Sequence, residues 1–274
     1  VLTGALSGIG VAWAGETEQD IINRYTKKIE KKHVRKTSWF STNFTLNRIN
    51  RDNDYNKFAT YQTAYINNGE MKWLNTGSSI GADFGVMVQK KVAWTIGGEF
   101  WGKLGQTLSG TYTYTPPNSG ATQITDPSSE ISVYGLTTGL QYFLYNAPNG
   151  NDNPSKPSLR LTGSVGYYHA KWEVWNEYQN LNLATSAPAG LNSSFTGNSA
   201  GFTFGLGGDY PIKFWGLMLG ADVHYLYLNF KTISWYNSTD QEIVATYNDT
   251  PEGRVVLGLS GVRGKLELKK YFNW

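Results

Sequence analysis

The chain has 274 residues, a formal net charge of +3 and no cysteine, which is enough for one large all-β domain or two ordinary domains. The missing cysteines exclude disulfides, cysteine nucleophiles and cysteine-ligated metals. No charged block is strong enough to indicate nucleic-acid binding. Mean hydropathy is −0.40, and no run approaches the roughly 18 apolar residues that a membrane-spanning helix needs.

Aromatic residues make up 15% of the chain and charged residues 16%, where a soluble domain has about 25% charged residues. Alternating strands average to a low hydropathy, so the hydropathy value is compatible with a membrane barrel. This composition favours a barrel with aromatic girdles over a cytosolic enzyme. A secreted β-rich domain is the alternative.

The first 36 residues contain two segments that differ from the rest. Residues 1–14 are small and apolar and end in Ala12-Trp13-Ala14, which predicts a signal peptide with its cleavage site; an apolar segment packed on the domain is the alternative. Residues 15–36 have an apolar stripe at helical spacing, with acids before bases, which predicts an amphipathic helix. Its bases form a patch of Lys27, Lys28, Lys31, Lys32, Arg35 and Lys36.

The basic patch has two interpretations. It could dock electrostatically on anionic lipid headgroups, or on peptidoglycan or another periplasmic partner. It could equally be a solvated helix end that keeps the precursor soluble.

After Arg35 the hydrophobic pattern has a period of two, which is typical of strands with different surroundings on their two faces. The last strand ends with Phe272 and Trp274 on its apolar face. The segment Phe58–Ile66 is ambiguous, and it would raise the strand number to ten only with a second partner that the sequence does not supply. Eight strands are predicted near 38–49, 79–89, 92–103, 134–144, 159–167, 202–209, 217–227 and 261–274.

Short and long connections alternate between these strands. Short turns are predicted at 90–91, 146–157 and 210–213, with a tight turn at Tyr210-Pro211. Long loops are predicted at 50–77, 104–128, 173–198 and 231–252. This asymmetry predicts an all-β, closed, antiparallel up-and-down transmembrane β-barrel of about eight strands over residues 37–274.

With this pattern the chain resembles the small bacterial outer-membrane barrels of the OmpA, OmpX and OmpW kind. The resemblance covers roughly 37–274 and includes the ending Leu266-x-Leu268-x-x-x-Phe272-x-Trp274. It implies the outer membrane of a Gram-negative bacterium, contact with outer-membrane lipid and periplasmic short turns. It also implies that Leu266, Leu268, Phe272 and Trp274 form an assembly signal. Trp274 stands where that pattern usually has Phe, and Lys270 interrupts the apolar face.

Parity places many charges inside the barrel. An interior of eight strands is just wide enough for side chains to fill, and an unpaired buried charge costs several kcal/mol. We therefore predict a plug of ion pairs, with a narrow passive channel for small solutes as the alternative, because inward glycines leave some volume. The predicted lumen network is Asp83, Glu99, Lys103, Arg160, Asp209, Asp222, His224, Arg263, Lys265 and Glu267.

The outer loops are rich in aromatic and small polar residues, which suits contact with a surface glycan or a protein; an interface girdle is the alternative. The predicted surface aromatics are Trp172, Trp175, Tyr178, Trp235 and Tyr236. A structural or adhesive role is therefore predicted, and the narrow channel is the main alternative.

Enzyme signals are weak. The three histidines are His33, His169 and His224, and neither H-E-x-x-H nor G-x-S-x-G occurs. Some barrels of the kind that the chain resembles are lipid-modifying enzymes with a rim Ser and His, so such an enzyme is a third alternative. No catalytic residue, metal or cofactor is assigned.

Overall fold

The computed structural model describes residues 37–63, 72–104, 112–114, 123–148, 156–178, 193–212, 215–231, 234–236, 242–244 and 256–273. The predicted signal segment, the predicted helix 15–36 with its basic patch, and Trp274 lie outside the described residues. Within the described ranges, no helix has the length and hydropathy to cross a membrane.

Eight long antiparallel strands close into a barrel. Each pairs with the next along the chain, and the first pairs with the last. The prediction of a closed up-and-down barrel with eight rather than ten strands is confirmed. The barrel strands are β1 (Thr37–Ile49), β2 (Thr76–Gln89), β3 (Val92–Leu104), β5 (Gln123–Tyr145), β6 (Ser158–Tyr178), β7 (Ser193–Ile212), β8 (Leu217–Phe230) and β12 (Gly261–Asn273).

Within the described residues, four short strands and one helix lie outside this ring. The strands are β4 (Tyr112–Tyr114), β9 (Ser234–Tyr236), β10 (Glu242–Val244) and β11 (Leu257–Gly258). The helix is α1 (Asp54–Thr63). All five are at the end of the barrel that carries the long connections, which we call the loop end. The opposite end, with the short turns, is the turn end.

The outward face of the barrel is an apolar band with aromatic side chains at both edges. Exposed leucines and valines occupy the middle, among them Leu136, Leu206 and Val223. From Tyr134 to Tyr142 a tilted strand climbs roughly 20 Å along the barrel axis, close to the apolar height of an outer-membrane barrel. The turn-end girdle is Phe40, Trp94, Tyr142, Tyr210 and Phe272, and the loop-end girdle is Tyr134, Tyr167, Phe202, Tyr225 and Tyr227.

Three strands are much longer than a membrane requires. β5 has 23 residues, β6 has 21 and β7 has 20, whereas about 9–11 tilted residues cross the bilayer. The pairs Thr125↔Tyr178 and Val174↔Ser193 lie beyond the barrel rim, and β4, β9 and β10 extend the same sheet. We call these extensions of β5, β6 and β7, with β4, β9 and β10, the protruding sheet.

The predicted loops 104–128, 173–198 and 231–252 are therefore wrong in part, because each contains strand residues. A strand beyond the membrane has no lipid on one side to select an apolar row. The period-two signal consequently fades at the rim although the backbone ladder continues.

The tight turn predicted at Tyr210-Pro211 is also misplaced. Both residues belong to β7 and pair with Leu219 and Met218. The chain reverses a few residues later, where Trp215 and Gly216 have φ of 65° and 61°. Proline is tolerated there because it lies near the end of its strand.

The ambiguous segment Phe58–Ile66 is helical in its described part, which ends with α1 at Thr63. Asn53 caps the helix by accepting a 2.9 Å hydrogen bond from the Asn56 amide. Tyr55 and Ala59, one turn apart, are fully buried. The Asn56 side chain accepts a hydrogen bond from the Leu74 amide, which joins the helix to the approach to β2.

Candidate functional site: the barrel interior

The barrel interior contains a connected set of ion pairs centred on Arg160. Its Nη2 donates to Asp222 Oδ1 at 2.6 Å and to Glu267 Oε2 at 2.9 Å. Its Nη1 lies 2.6 Å from Asp209 Oδ1, an ion pair without hydrogen-bond alignment. Three carboxylates from β7, β8 and β12 therefore surround one guanidinium from β6.

Two lysines of β12 continue this set toward other strands. Lys269 lies 2.9 Å from Asp209 and 2.6 Å from Glu267. Lys265 lies 2.5 Å from Glu267 and donates at 2.6 Å to Asp83 on β2. Because Asp83 is on the far side of β1 from β12, these contacts tie non-neighbouring strands together across the lumen.

A second group lies closer to the loop end. Arg263 is paired with Glu99 on β3, and Tyr168 on β6 donates a 2.9 Å hydrogen bond to Glu99. The Arg263 guanidinium also lies 5.1 Å from the centre of the Trp101 ring. We call the two groups together the charge network. Its charged members are Asp83, Glu99, Arg160, Asp209, Asp222, Arg263, Lys265, Glu267 and Lys269.

His224 lies beside the charge network, but its contacts are not those of a catalytic triad. Its Nε2 is 3.0 Å from the Thr162 hydroxyl and 3.6 Å from Asp222. A triad histidine contacts its nucleophile through one nitrogen and its acid through the other, whereas here the same nitrogen faces both. Among the described residues, no cluster of His, Asp and Glu is arranged to hold a metal ion.

Several members of this interior are absent from the predicted lumen network. Lys269 and Tyr271 occupy the inward parity of β12, and Tyr168 occupies that of β6, so the strand pattern could have identified them. Tyr271 donates to Asp209 at 3.4 Å. The side chain of Lys103, which parity also placed inside, lies outside what the structure describes.

An apolar layer closes the interior at the loop end. Trp172, predicted to be a surface aromatic, is only 1% exposed and packs on Tyr55 of α1 and Phe195 of β7 at centroid distances of 5.6 and 5.5 Å. That prediction is wrong because α1 covers the rim and turns it into a core. The loop-end cluster is Ile49, Tyr55, Ala59, Leu74, Trp101, Leu104, Ile131, Val133, Tyr168, Ala170, Trp172, Phe195, Leu226, Leu228, Phe230, Leu257 and Leu259.

A smaller apolar layer lies at the turn end. It consists of Trp39, Met87, Ala93, Phe143, Met218 and Tyr271, and we call it the turn-end cluster. The rings of Trp39 and Tyr271 lie 5.4 Å apart. The charge network thus lies between two apolar layers.

Between these layers a polar cavity of about 70 Å³ lies against the charge network, which is room for only a few water molecules. Its other wall carries hydroxyls, including Ser164 and Thr203, whose oxygens are 2.5 Å apart. The interior is therefore filled by protein along most of its length.

The predicted assembly-signal residues that the structure describes are not part of the interior. Leu266, Leu268 and Phe272 point outward into the apolar band. The side chains of Trp175, Tyr178, Trp235 and Tyr236 lie outside the described residues, although their backbones belong to β6 and β9 in the protruding sheet.

Comparison with known proteins finds no matching family model and no match among curated sequences. Among solved structures, Ail from Yersinia pestis, crystallised with the heparin analogue sucrose octasulfate, is 13% identical with a TM-score of 0.39, covering 86% of this chain and 99% of Ail. A major outer membrane protein from Thermus thermophilus is 12% identical with a TM-score of 0.46, covering 86% and 99%. Neisserial surface protein A is 10% identical with a TM-score of 0.34, covering 88% and 97%. The fold assignment rests on the barrel's own strand order and outward face.

Proposed function

We propose that this protein is an outer-membrane β-barrel of a Gram-negative bacterium that presents a rigid adhesive surface to the cell exterior. The apolar band between two aromatic girdles supports the membrane location. The observation that carries the adhesive role is the protruding sheet, because β5, β6 and β7 continue as paired strands well past the length that a bilayer requires.

A preformed sheet is a better binding surface than a flexible loop. Its backbone is already ordered by the ladder from Thr125↔Tyr178 to Val174↔Ser193, so a partner does not have to order it at an entropic cost. The sequence of this region supplies tryptophan and tyrosine, and the charged residues of its strands are acidic. Such side chains suit the faces of sugar rings and the centres of protein interfaces, and a surface glycan or a protein is the partner class that we propose.

The filled interior supports adhesion over conduction. A passive channel needs a continuous aqueous path, but here two apolar layers flank the charge network. The cavity between them is too small for a hydrated solute.

The register offers a direct test of the adhesive role. Leu104 pairs with Ile131, Trp172 with Phe195, and Phe230 with Leu257, so residues 105–130, 173–194 and 231–256 can each be replaced by a short turn. The trimmed barrel keeps all eight strands and the loop-end cluster. Wild-type and trimmed barrels in nanodiscs would be compared on a glycan array and on immobilised extracellular-matrix proteins.

We expect the wild-type barrel to bind at least one glycan or protein of the panel and the trimmed barrel to lose that binding. The control Tyr210→Ala, at the turn-end girdle, should bind like the wild type. Equal binding by trimmed and wild-type barrels, or none by the wild type, would contradict the adhesive role.

A further inference from the structure

A groove runs down the outer wall of the barrel at the loop end, across β12, β1 and β2. Its volume is about 750 Å³, within the usual range for a small-molecule site. It lies on the lipid side of the wall, separate from the charge network. The lining residues that the argument uses are Leu46, Arg48, Arg51, Thr76, Val262 and Gly264.

The floor of the groove is apolar and has a notch at Gly264. A Cβ placed on Gly264 would meet no atom within 4 Å. Leu46 pairs with Gly264 on one side and Ser78 on the other, so a leucine that is 60% exposed stands between two small residues. Val262 is also exposed. It lies two residues before Gly264 on the same outward face of β12, closer to the loop end. The notch is therefore an open apolar cleft of the kind that a hydrocarbon chain can fill.

The upper rim of the groove is cationic. Arg48 and Arg51 are both exposed, and neither takes part in an ion pair within the described ranges. Arg48 pairs in register with Val262, which pairs with Tyr225 of the loop-end girdle. This register places Arg48 close to the membrane–water boundary. Asn50 donates to the Tyr225 hydroxyl at 3.3 Å across the same corner.

We propose that the groove binds one acyl lipid of the leaflet at the loop end whose phosphate headgroup carries a net negative charge. Charge complementarity identifies the headgroup, because guanidinium forks pair with phosphate oxygens bidentately. The notch at Gly264 takes one acyl chain. The cationic rim lies at the membrane–water boundary, and the apolar floor lies deeper in the membrane. A lipid has the same order, with its phosphate at the boundary and its hydrocarbon chain below it.

Native mass spectrometry can test the proposal by counting lipids that remain on the barrel after release from mixed micelles of phosphatidylglycerol and phosphatidylcholine. We expect the wild type to retain phosphatidylglycerol in preference to phosphatidylcholine. The double variant Arg48→Gln/Arg51→Gln should lose about tenfold or more of that preference, from about 1 kcal/mol for each basic side chain near the surface.

The apolar floor is tested separately by Gly264→Leu, whose Cβ would meet no atom within 4 Å and whose side chain should occupy the notch and reduce retained lipid of both kinds. Its control is Gly98→Leu on the outward face of β3, where an added Cβ makes only ordinary contacts. The control for the arginines is Lys270→Gln, an exposed base at the turn end.

Three outcomes would overturn the proposal. The arginine double variant could keep the wild-type preference, or Gly264→Leu could retain as much lipid as Gly98→Leu. Inorganic phosphate alone could bind to the wild type as strongly as the lipid does. That result would identify a free-phosphate site in which the notch has no role.

Discussion

Arg160 and Asp209 form an ion pair of 2.6 Å in which both side chains are completely excluded from solvent. Charges buried in this way are stable only while each keeps its partners, because the desolvation penalty of an orphaned charge is not offset. Arg160 faces three carboxylates at once. Its removal therefore exposes each of them to repulsion from the others.

We predict that Arg160→Met lowers the free energy of unfolding by about 3–5 kcal/mol, as expected when one partner of a buried pair is removed. The measurement is urea unfolding of the barrel in lipid vesicles, with the dependence on denaturant checked for a constant slope. The matched control is Lys171→Met, whose partner Glu173 is half exposed; its free energy of unfolding should stay close to that of the wild type, because exposed ion pairs contribute little to stability. Equal effects would show that the network does not hold the strands together.

The pair between Glu99 and Arg263 predicts non-additive losses of stability. Glu99→Gln leaves the guanidinium with Ser79 and the Trp101 ring, and Arg263→Met leaves the carboxylate with Tyr168. The double variant leaves neither charge alone. We expect a coupling energy of about 0.5–3 kcal/mol in a double-mutant cycle. Additivity of the two losses would mean that the pair contributes nothing beyond its separate contacts.

The ring of Tyr168 packs on three glycines, Gly135, Gly166 and Gly201. A Cβ on Gly166 would lie 2.7 Å from the Tyr168 ring and 2.9 Å from Thr137. We predict that Gly166→Val costs about 1–3 kcal/mol by overpacking.

The glycine prediction has a control on the outer wall. A Cβ on Gly264 would meet no atom within 4 Å, so Gly264→Val should change stability by less than about 0.5 kcal/mol. Chemical denaturation of both variants provides the comparison. If Gly166→Val is as stable as Gly264→Val, the ring does not depend on these glycines.

The side chain of Trp172 packs on Tyr55 of α1, so its removal should weaken the attachment of the helix to the barrel. We predict that Trp172→Ala costs about 3–5 kcal/mol, typical of truncating a buried aromatic side chain, and accelerates amide hydrogen exchange across Asp54–Thr63. Trp73→Ala is the control, because Trp73 is 51% exposed and its hydrogen bond within the described residues is the 3.1 Å contact with Thr60. Unchanged exchange in α1 would contradict its role as the cover of the loop end.

The barrel and its inward face could be predicted from the sequence because lipid and interior select different residues at alternate positions. The same parity that placed Asp83, Glu99 and Arg160 inside also contains Lys269, although the predicted network does not include it. Parity identifies a face, but it cannot show which charges meet, because Arg160 contacts residues 49 to 107 positions away.

The ends of the barrel could not be predicted in this way. Beyond the membrane the apolar row is lost, so the extensions of β5, β6 and β7 resemble loops in sequence. Trp172 shares the inward parity of β6 with Arg160 and Tyr168, so the strand pattern could have placed its side chain inside, although the cover by α1 cannot be read from that strand. The cap at Asn53 and the buried pair Tyr55 and Ala59 contain the signal for that helix.

The interior is closed, and the proposed binding surface is the protruding sheet. We therefore expect the barrel to conduct no ions. Planar-bilayer recording of the refolded wild-type barrel measures this property, with membrane insertion verified independently by protease protection of the embedded strands. We predict a silent bilayer at moderate voltage, because two apolar layers flank a paired charge network. Reproducible single-channel steps from the inserted wild-type barrel would contradict the closed interior.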